Sequence, residues 1–122
     1  MHMTETTGIL NGVRVLDLSR MLSGPYCTMM LADHGAEVIK IESGGGDTSR
    51  ANGPFRDDDP DHLWAGYFVS LNRSKKSVTL DLKTPDGKAA FCILVRDADV
   101  LVENFRPGVI DAMGLGYERL RE

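Results

Sequence analysis

The sequence predicts an α/β domain built on an open, parallel β-sheet with helices on its faces. Three observations predict it. Four short apolar runs with strand character recur along the chain, at 12–18, 36–42, 75–82 and 99–103. Helical patterns fill the intervals between them, and two of these helices carry proline at the first turn or glycine just past the last, as connecting helices do. Strands joined through helices run parallel with right-handed crossovers, because a parallel pair cannot be closed by a tight hairpin. Such sheets bind ligands outside the carboxyl ends of their strands. The loops after Leu18, Glu42, Leu82 and Glu103 are therefore the ones that matter for function.

Each element has its own local reason. Gly12-Val13-Arg14-Val15-Leu16-Asp17-Leu18 alternates and is β-branched early, which reads as a strand; a turn from Ser19 to Gly24 follows. Pro25 opens a helix through Ala32, and Gly35 ends it. The period of two resumes from Ala36 to Glu42. Ser43 to Pro60 is rich in Gly, Asp and Pro without a sustained period, so it reads as a long surface loop. His62 to Asn72 predicts a short helix with Trp64, Tyr67, Phe68 and Leu71 on an apolar stripe, best explained by core packing. Lys75 to Leu82 is the third strand. Thr84 and Pro85 then supply a cap and a first-turn proline for a helix to Arg96. Asp99 to Glu103 is nearly continuous and apolar, the pattern of a strand buried on both faces. A turn at Asn104-Phe105-Arg106-Pro107-Gly108 leads to a short helix ending near Gly114, and Tyr117 begins another.

Composition narrows the function classes. The chain has 122 residues, 42% hydrophobic and 26% charged, the balance of a packed globular domain rather than a disordered one. Its net charge of −4 argues against nucleic acid or an anionic membrane as partner. No apolar run reaches the ~20 residues that span a bilayer, and the start lacks the features of a secretory signal. Met1-His2 reads as a cloning remnant, so residues 1–9 are taken as remnant and tail and 10–122 as one domain. Cys27 and Cys92 fall in helical patterns as small hydrophobes, and no Cys/His set has ligand spacing, so no metal is expected and a reducing cytoplasm fits.

Chemical motifs are sparse when taken singly. The first turn lacks the G-x-G-x-x-G of dinucleotide sites, and Gly44-Gly45-Gly46-Asp47 lacks the spacing of a P-loop. Arg73, Lys75, Lys76 and Lys83 bracket the third strand and suit either a phosphate or a solvated face. His34 sits at a helix end, where capping explains it. No Ser/His/Asp, Cys/His or paired-carboxylate arrangement is present.

Taken in order, the motifs say more. Leu16-Asp17-Leu18-Ser19-Arg20 with Ser23-Gly24-Pro25, then Gly35-Ala36-Glu37-Val38-Ile39-Lys40-Ile41-Glu42 into Gly44-Gly45-Gly46-Asp47, resemble the opening of the family III CoA-transferases. Leu71-Asn72-Arg73-Ser74-Lys75-Lys76-Ser77, Leu80-Asp81-Leu82-Lys83, and Val102-Glu103-Asn104-Phe105-Arg106-Pro107-Gly108 with Met113-Gly114-Leu115-Gly116-Tyr117 continue the match. The resemblance spans about Leu10 to Leu120.

It implies the amino-terminal part of a Rossmann-like large domain, in a longer chain that forms an interlocked homodimer. Coenzyme A is the implied substrate and product, exchanged between carboxylic acids through an acyl-aspartyl anhydride and an aspartyl-CoA thioester. The family's nucleophilic aspartate lies downstream of the Asn-Phe-Arg-Pro-Gly motif, so no catalytic residue is assigned here, and Asp97, Asp99 and Asp111 are not substitutes.

Position by position, Met21 and Leu22 match the loop lining the CoA and acyl site. Leu80 and Lys83 match contacts near the adenosine-phosphate end, and Asn104 and Phe105 match residues beside the pantetheine arm. Ser43 and Ala112 stand where relatives carry arginines, which leaves phosphate neutralisation to Lys83 with Arg50 or Arg106. Leu22 in place of a glutamine disfavours formate and oxalate. The same resemblance admits an acyl-CoA racemase, and a non-catalytic CoA-binding or assembly module is the alternative of a different class.

Overall fold

The computed structural model describes residues 8–122; the remnant assigned at Met1-His2 lies outside the described residues. Four strands, β1 (Arg14–Asp17), β2 (Glu37–Glu42), β3 (Lys75–Thr79) and β4 (Val100–Val102), form one sheet in the order β3-β2-β1-β4. All pairs are parallel, with Leu16 opposite both Ile39 and Leu101, and Lys40 opposite Ser77. The helices are α1 (Ser23–Asp33), α2 (Gly66–Asn72), α3 (Pro85–Arg96), α4 (Val109–Ala112) and α5 (Tyr117–Leu120). The predicted parallel α/β sheet is the observed fold.

The period of two divides the core. Leu16, Leu18 and Ile41 point to the face covered by α3 to α5, where they meet Phe91 and Leu115. Val15 and Val38 point the other way, onto Ala32 of α1 and Ala36. Burial in α1 recurs at Gly24, Pro25, Thr28, Met29 and Ala32, one stripe at helical spacing. Cys27 lies off that stripe and is exposed, contrary to the buried role expected of it. Gly35 ends the connection at φ +101, and the Gly8 Cα would lie 2.7 Å from a Cβ there, so both the turn and the packing require glycine.

α3 starts as its sequence requires. Thr84 Oγ1 accepts the Gly87 N–H at 3.0 Å, Pro85 occupies the first turn, and Asp86 adds a charge favourable to the dipole. A side chain at position 87 would meet the Asp81 carbonyl oxygen at 1.9 Å, so the strand-to-helix turn closes only around glycine.

Three expectations change. The helix expected over 62–72 begins only at Gly66, because the Asp59 carboxylate accepts the Leu63 and Trp64 N–H groups at 3.0 and 2.8 Å and holds them in a turn. Leu63 and Trp64 are left 65% exposed, Tyr67 and Phe68 are half-buried, and of the predicted stripe only Leu71 is fully buried. The long loop contains a 3-10 turn, Thr48–Ala51, whose Asp47 and Ser49 are buried. β4 is the sheet edge rather than a doubly covered strand, and Val100 is 38% exposed, because among the described residues no strand pairs with its outer side.

Phe91, with 0% exposure, anchors α3 to the sheet. Phe91→Ala should lower the unfolding free energy by about 3–5 kcal/mol, read from the urea midpoint at unchanged slope. A loss well below that range would place the packing of α3 elsewhere.

Candidate functional site

The site begins with a carboxylate inside an apolar strand. Asp17 ends β1 with 0% exposure. One oxygen accepts the Ser19 N–H at 2.9 Å and the Ser19 hydroxyl; the other accepts Thr28 Oγ1 at 2.6 Å and Lys75 Nζ at 2.9 Å. Lys75 spends its other protons on the Pro25 carbonyl at 3.0 Å and Asn72 Oδ1 at 2.8 Å. Burial would push Asp17 up, but the Ser19 and Thr28 hydroxyls and the ammonium groups of Lys75 and Lys40 hold it below the ordinary carboxylate value. Burial pushes Lys75 below the ordinary lysine value, against the pull of Asp17.

A second buried pair lies alongside. Lys40, in β2, donates to the Ser19 carbonyl at 2.9 Å and sits 3.1 Å from Asp47 Oδ2. Asp47 accepts the Ser49 N–H at 2.9 Å and gives its own N–H to Glu42 Oε2 at 2.8 Å. Glu42 then takes Arg50 in a two-pronged pair at 2.8 and 2.6 Å, with the guanidinium 3.7 Å above the Phe68 ring. Burial again opposes the charges of Glu42 and Asp47. Arg50 for Glu42, and the Ser49 N–H and Lys40 for Asp47, outweigh it and keep both carboxyls below their ordinary values.

These contacts gather the loops at the carboxyl end of the sheet. Asn104, just past β4, embraces Arg20: its Oδ1 accepts the Arg20 N–H at 2.9 Å and its Nδ2 donates to the Arg20 carbonyl at 2.8 Å. The Arg20 guanidinium lies 5.5 Å from the Phe105 ring centre. Gly24 lets α1 approach, since a Cβ there would stand 2.2 Å from that of Ser19 and 3.3 Å from the Asn104 amide carbon. Met21 and Leu22 are displayed at the loop tip, 41% and 55% exposed.

Of the residues expected at the site, Met21 and Leu22 follow Arg20 in the chain, Asn104 holds the Arg20 backbone, and Phe105 lies beneath the Arg20 guanidinium. Leu80 and Lys83 stand in the loop after β3, two strands from β1. Leu80 borders the same apolar core as Phe105, and Lys83 makes no ion pair among the described residues. Arg106 is exposed. The other basic candidates are spent: Lys75 on Asp17, Arg73 on Asp33 at 2.6 Å, Lys76 on Glu37, and Arg50 on Glu42. Asp99 receives the Arg14 N–H at 2.8 Å at the amino end of the sheet, far from these loops in the direction of the strands. A cavity of about 1070 Å³ lies apart from them too, beside β4 and lined by Leu101, Ile110, Tyr117 and Leu120.

Sequence reasoning missed Arg20, Lys40 and Asp47. An ionisable residue within an apolar strand, as in Ile39-Lys40-Ile41, was the available signal for Lys40. Asp47 carried none, because only the returning loop buries it.

The profile described as CoA-transferase family III matches residues 10–122. The chain belongs to that family. A succinyl-CoA:mesaconate CoA-transferase of Haloarcula hispanica is 52% identical over 115 residues, covering 94% of this chain and 29% of that relative. A formyl-CoA:oxalate CoA-transferase of Rhodopseudomonas palustris is 50% identical, covering 95% and 27%. A CAIB/BAIF family protein of Brucella suis, solved by crystallography, superposes with a TM-score of 0.86 at 43% identity, covering 93% of this chain and 30% of that one. The chain thus spans less than a third of the length of these relatives.

The depressed carboxyls generate a pH prediction. Because their folded values lie below the unfolded ones, they contribute stability that is complete above the ordinary carboxylate range and is lost as pH falls through the depressed values. Unfolding free energy should hold level down to about pH 5 and fall below about pH 4. Thr28→Val, which removes one donor from Asp17, should cost about 1–3 kcal/mol at pH 7 and flatten the acid slope. Denaturant titrations at both pH values check this; an unchanged neutral stability and slope would contradict it.

Proposed function

We propose that this chain forms the amino-terminal, CoA-binding part of a family III CoA-transferase that moves CoA between carboxylic acids. The observation that carries the reading is the pinned loop Arg20–Leu22, held between Asn104 and Asp47 at the carboxyl end of the sheet, in a chain of this family. Met21 and Leu22 offer apolar surface to the acyl and thioester end. Phe105 flanks the pantetheine arm, and Asn104 acts through the loop, since its amide is committed to the Arg20 backbone. Leu80 lies toward the adenosine, with Lys83 and Arg106 on the phosphates. An extended ligand such as CoA can join subsites on loops two and three strands apart.

In the proposed reaction an aspartate attacks the acyl-CoA carbonyl, forming an anhydride and expelling the CoA thiolate. The thiolate then attacks the aspartyl carbonyl, releasing the first carboxylate and leaving an aspartyl-CoA thioester, from which the acceptor acid takes CoA by the same two exchanges. None of the residues here is assigned as that nucleophile. A cytoplasmic homodimer is part of the proposal; the family resemblance carries it, and the exposed Leu63, Trp64, Ile93 and Tyr117 are apolar side chains a partner subunit could cover.

Lys83 is exposed and makes no ion pair among the described residues, whereas Lys76 is held by Glu37. Lys83→Ala should therefore weaken CoA binding by about 1.5–3 kcal/mol, and Lys76→Ala far less, by calorimetric titration. Equal affinities would sink the phosphate assignment. The 122-residue chain alone should produce no new CoA esters from a panel of acyl-CoA donors and carboxylate acceptors, followed by mass spectrometry. Turnover abolished by replacing Asp97, Asp99 or Asp111 would instead identify the nucleophile within this chain.

A further inference from the structure

Met21 adopts φ +67, a left-handed backbone conformation that residues with a Cβ rarely enter. Glycine would reach it freely, yet the position carries a long apolar side chain. Something must hold it there. The Met21 N–H points at the Asp47 carboxylate, 3.3 Å from each oxygen, and Met21 Sδ accepts the Thr48 hydroxyl at 3.0 Å.

Asp47 is itself immobilised. It is 2% exposed and faces Lys40 Nζ at 3.1 Å, the Ser49 N–H at 2.9 Å and, through its own N–H, Glu42. Lys40 also grips the Ser19 carbonyl, so this one ion pair holds the loop on both sides of Arg20. Strain of this kind persists only where surrounding contacts over-determine it, and it concentrates at ligand-handling positions. Its product is an apolar pair, Met21 and Leu22, presented outward instead of collapsed onto the core.

We propose that Asp47 is a positioning residue which, through the Met21 N–H, sets the posture of Met21 and Leu22 and thereby the fit of the acyl-thioester end of the ligand. The link from Asp47 to Met21 stands on geometry; the ligand it serves rests on the function proposed above. Loss of Asp47 should therefore impair recognition of an acyl-CoA without affecting a probe that reaches only the adenosine-phosphate subsite.

The test uses the 122-residue chain labelled with ¹⁵N, as parent and Asp47→Asn. In the variant, the Met21 amide should move in the spectrum and exchange with solvent about tenfold faster or more, since a charged acceptor is lost. The Leu16 and Val38 amides should stay protected, which reports an intact sheet. Calorimetry with acetyl-CoA should show about a tenfold loss of affinity, and adenosine 3′,5′-bisphosphate none. If Asp47→Asn unfolds because Lys40 is left unpaired, the double variant Lys40→Met, Asp47→Asn removes both charges and takes its place.

An unmoved, still protected Met21 amide would overturn the link from Asp47 to Met21. A freed amide with unchanged acetyl-CoA affinity would overturn its role in ligand fit. If the parent binds neither probe, the proposed function fails for this chain, and the amide measurement still judges whether Asp47 sets the loop.

Discussion

Burial of the Asp17 carboxylate at the end of β1 is the constraint on which the rest of this structure depends. A carboxylate with no exposure must be fully hydrogen-bonded and matched in charge, and its partners come from three segments of the chain: the loop after β1, Thr28 in α1, and Lys75 at the start of β3. Meeting that demand fixes where α1 and α2 lie on the sheet. The neighbouring pair, Lys40 and Asp47, extends the same demand to the loop after β2. Three acids, Asp17, Glu42 and Asp47, stand against three bases, Lys40, Lys75 and Arg50, so the cluster is neutral.

Such a cluster adds little net stability, since desolvation consumes much of the Coulombic attraction. What it contributes is geometry. An apolar core tolerates small slips between layers, whereas a carboxylate with four donors does not. The loops that emerge from the cluster inherit that precision, and Asn104 closes the arrangement from the β4 side by holding both backbone groups of Arg20. Apolar side chains can then be displayed at the carboxyl end of the sheet without collapsing onto it.

The opposite edge of the sheet is less complete. β4 has three residues in the ladder, among the described residues its outer side is unpaired, and a cavity of about 1070 Å³ opens beside it. The chain covers under a third of its relatives' length, and its apolar strand β4 stands at an open edge of the described sheet.

Periodicity and punctuation were enough to determine the parallel α/β fold, because strand alternation, first-turn proline and stop-glycine act over a few residues, and the order of the motifs was enough to determine the family. The turn at 62–65 was not legible, since Asp59 caps it from outside the helical pattern. Nor was the edge position of β4, because an apolar run states that a strand can be covered, not what covers it. The basic residues show the division most clearly: in the sequence, Arg50, Lys75 and Lys83 are equivalent positive charges. Only the tertiary structure decided that Lys75 neutralises Asp17, that Arg50 neutralises Glu42, and that Lys83 is left to solvent, because the partner of a charge is set by distance in space.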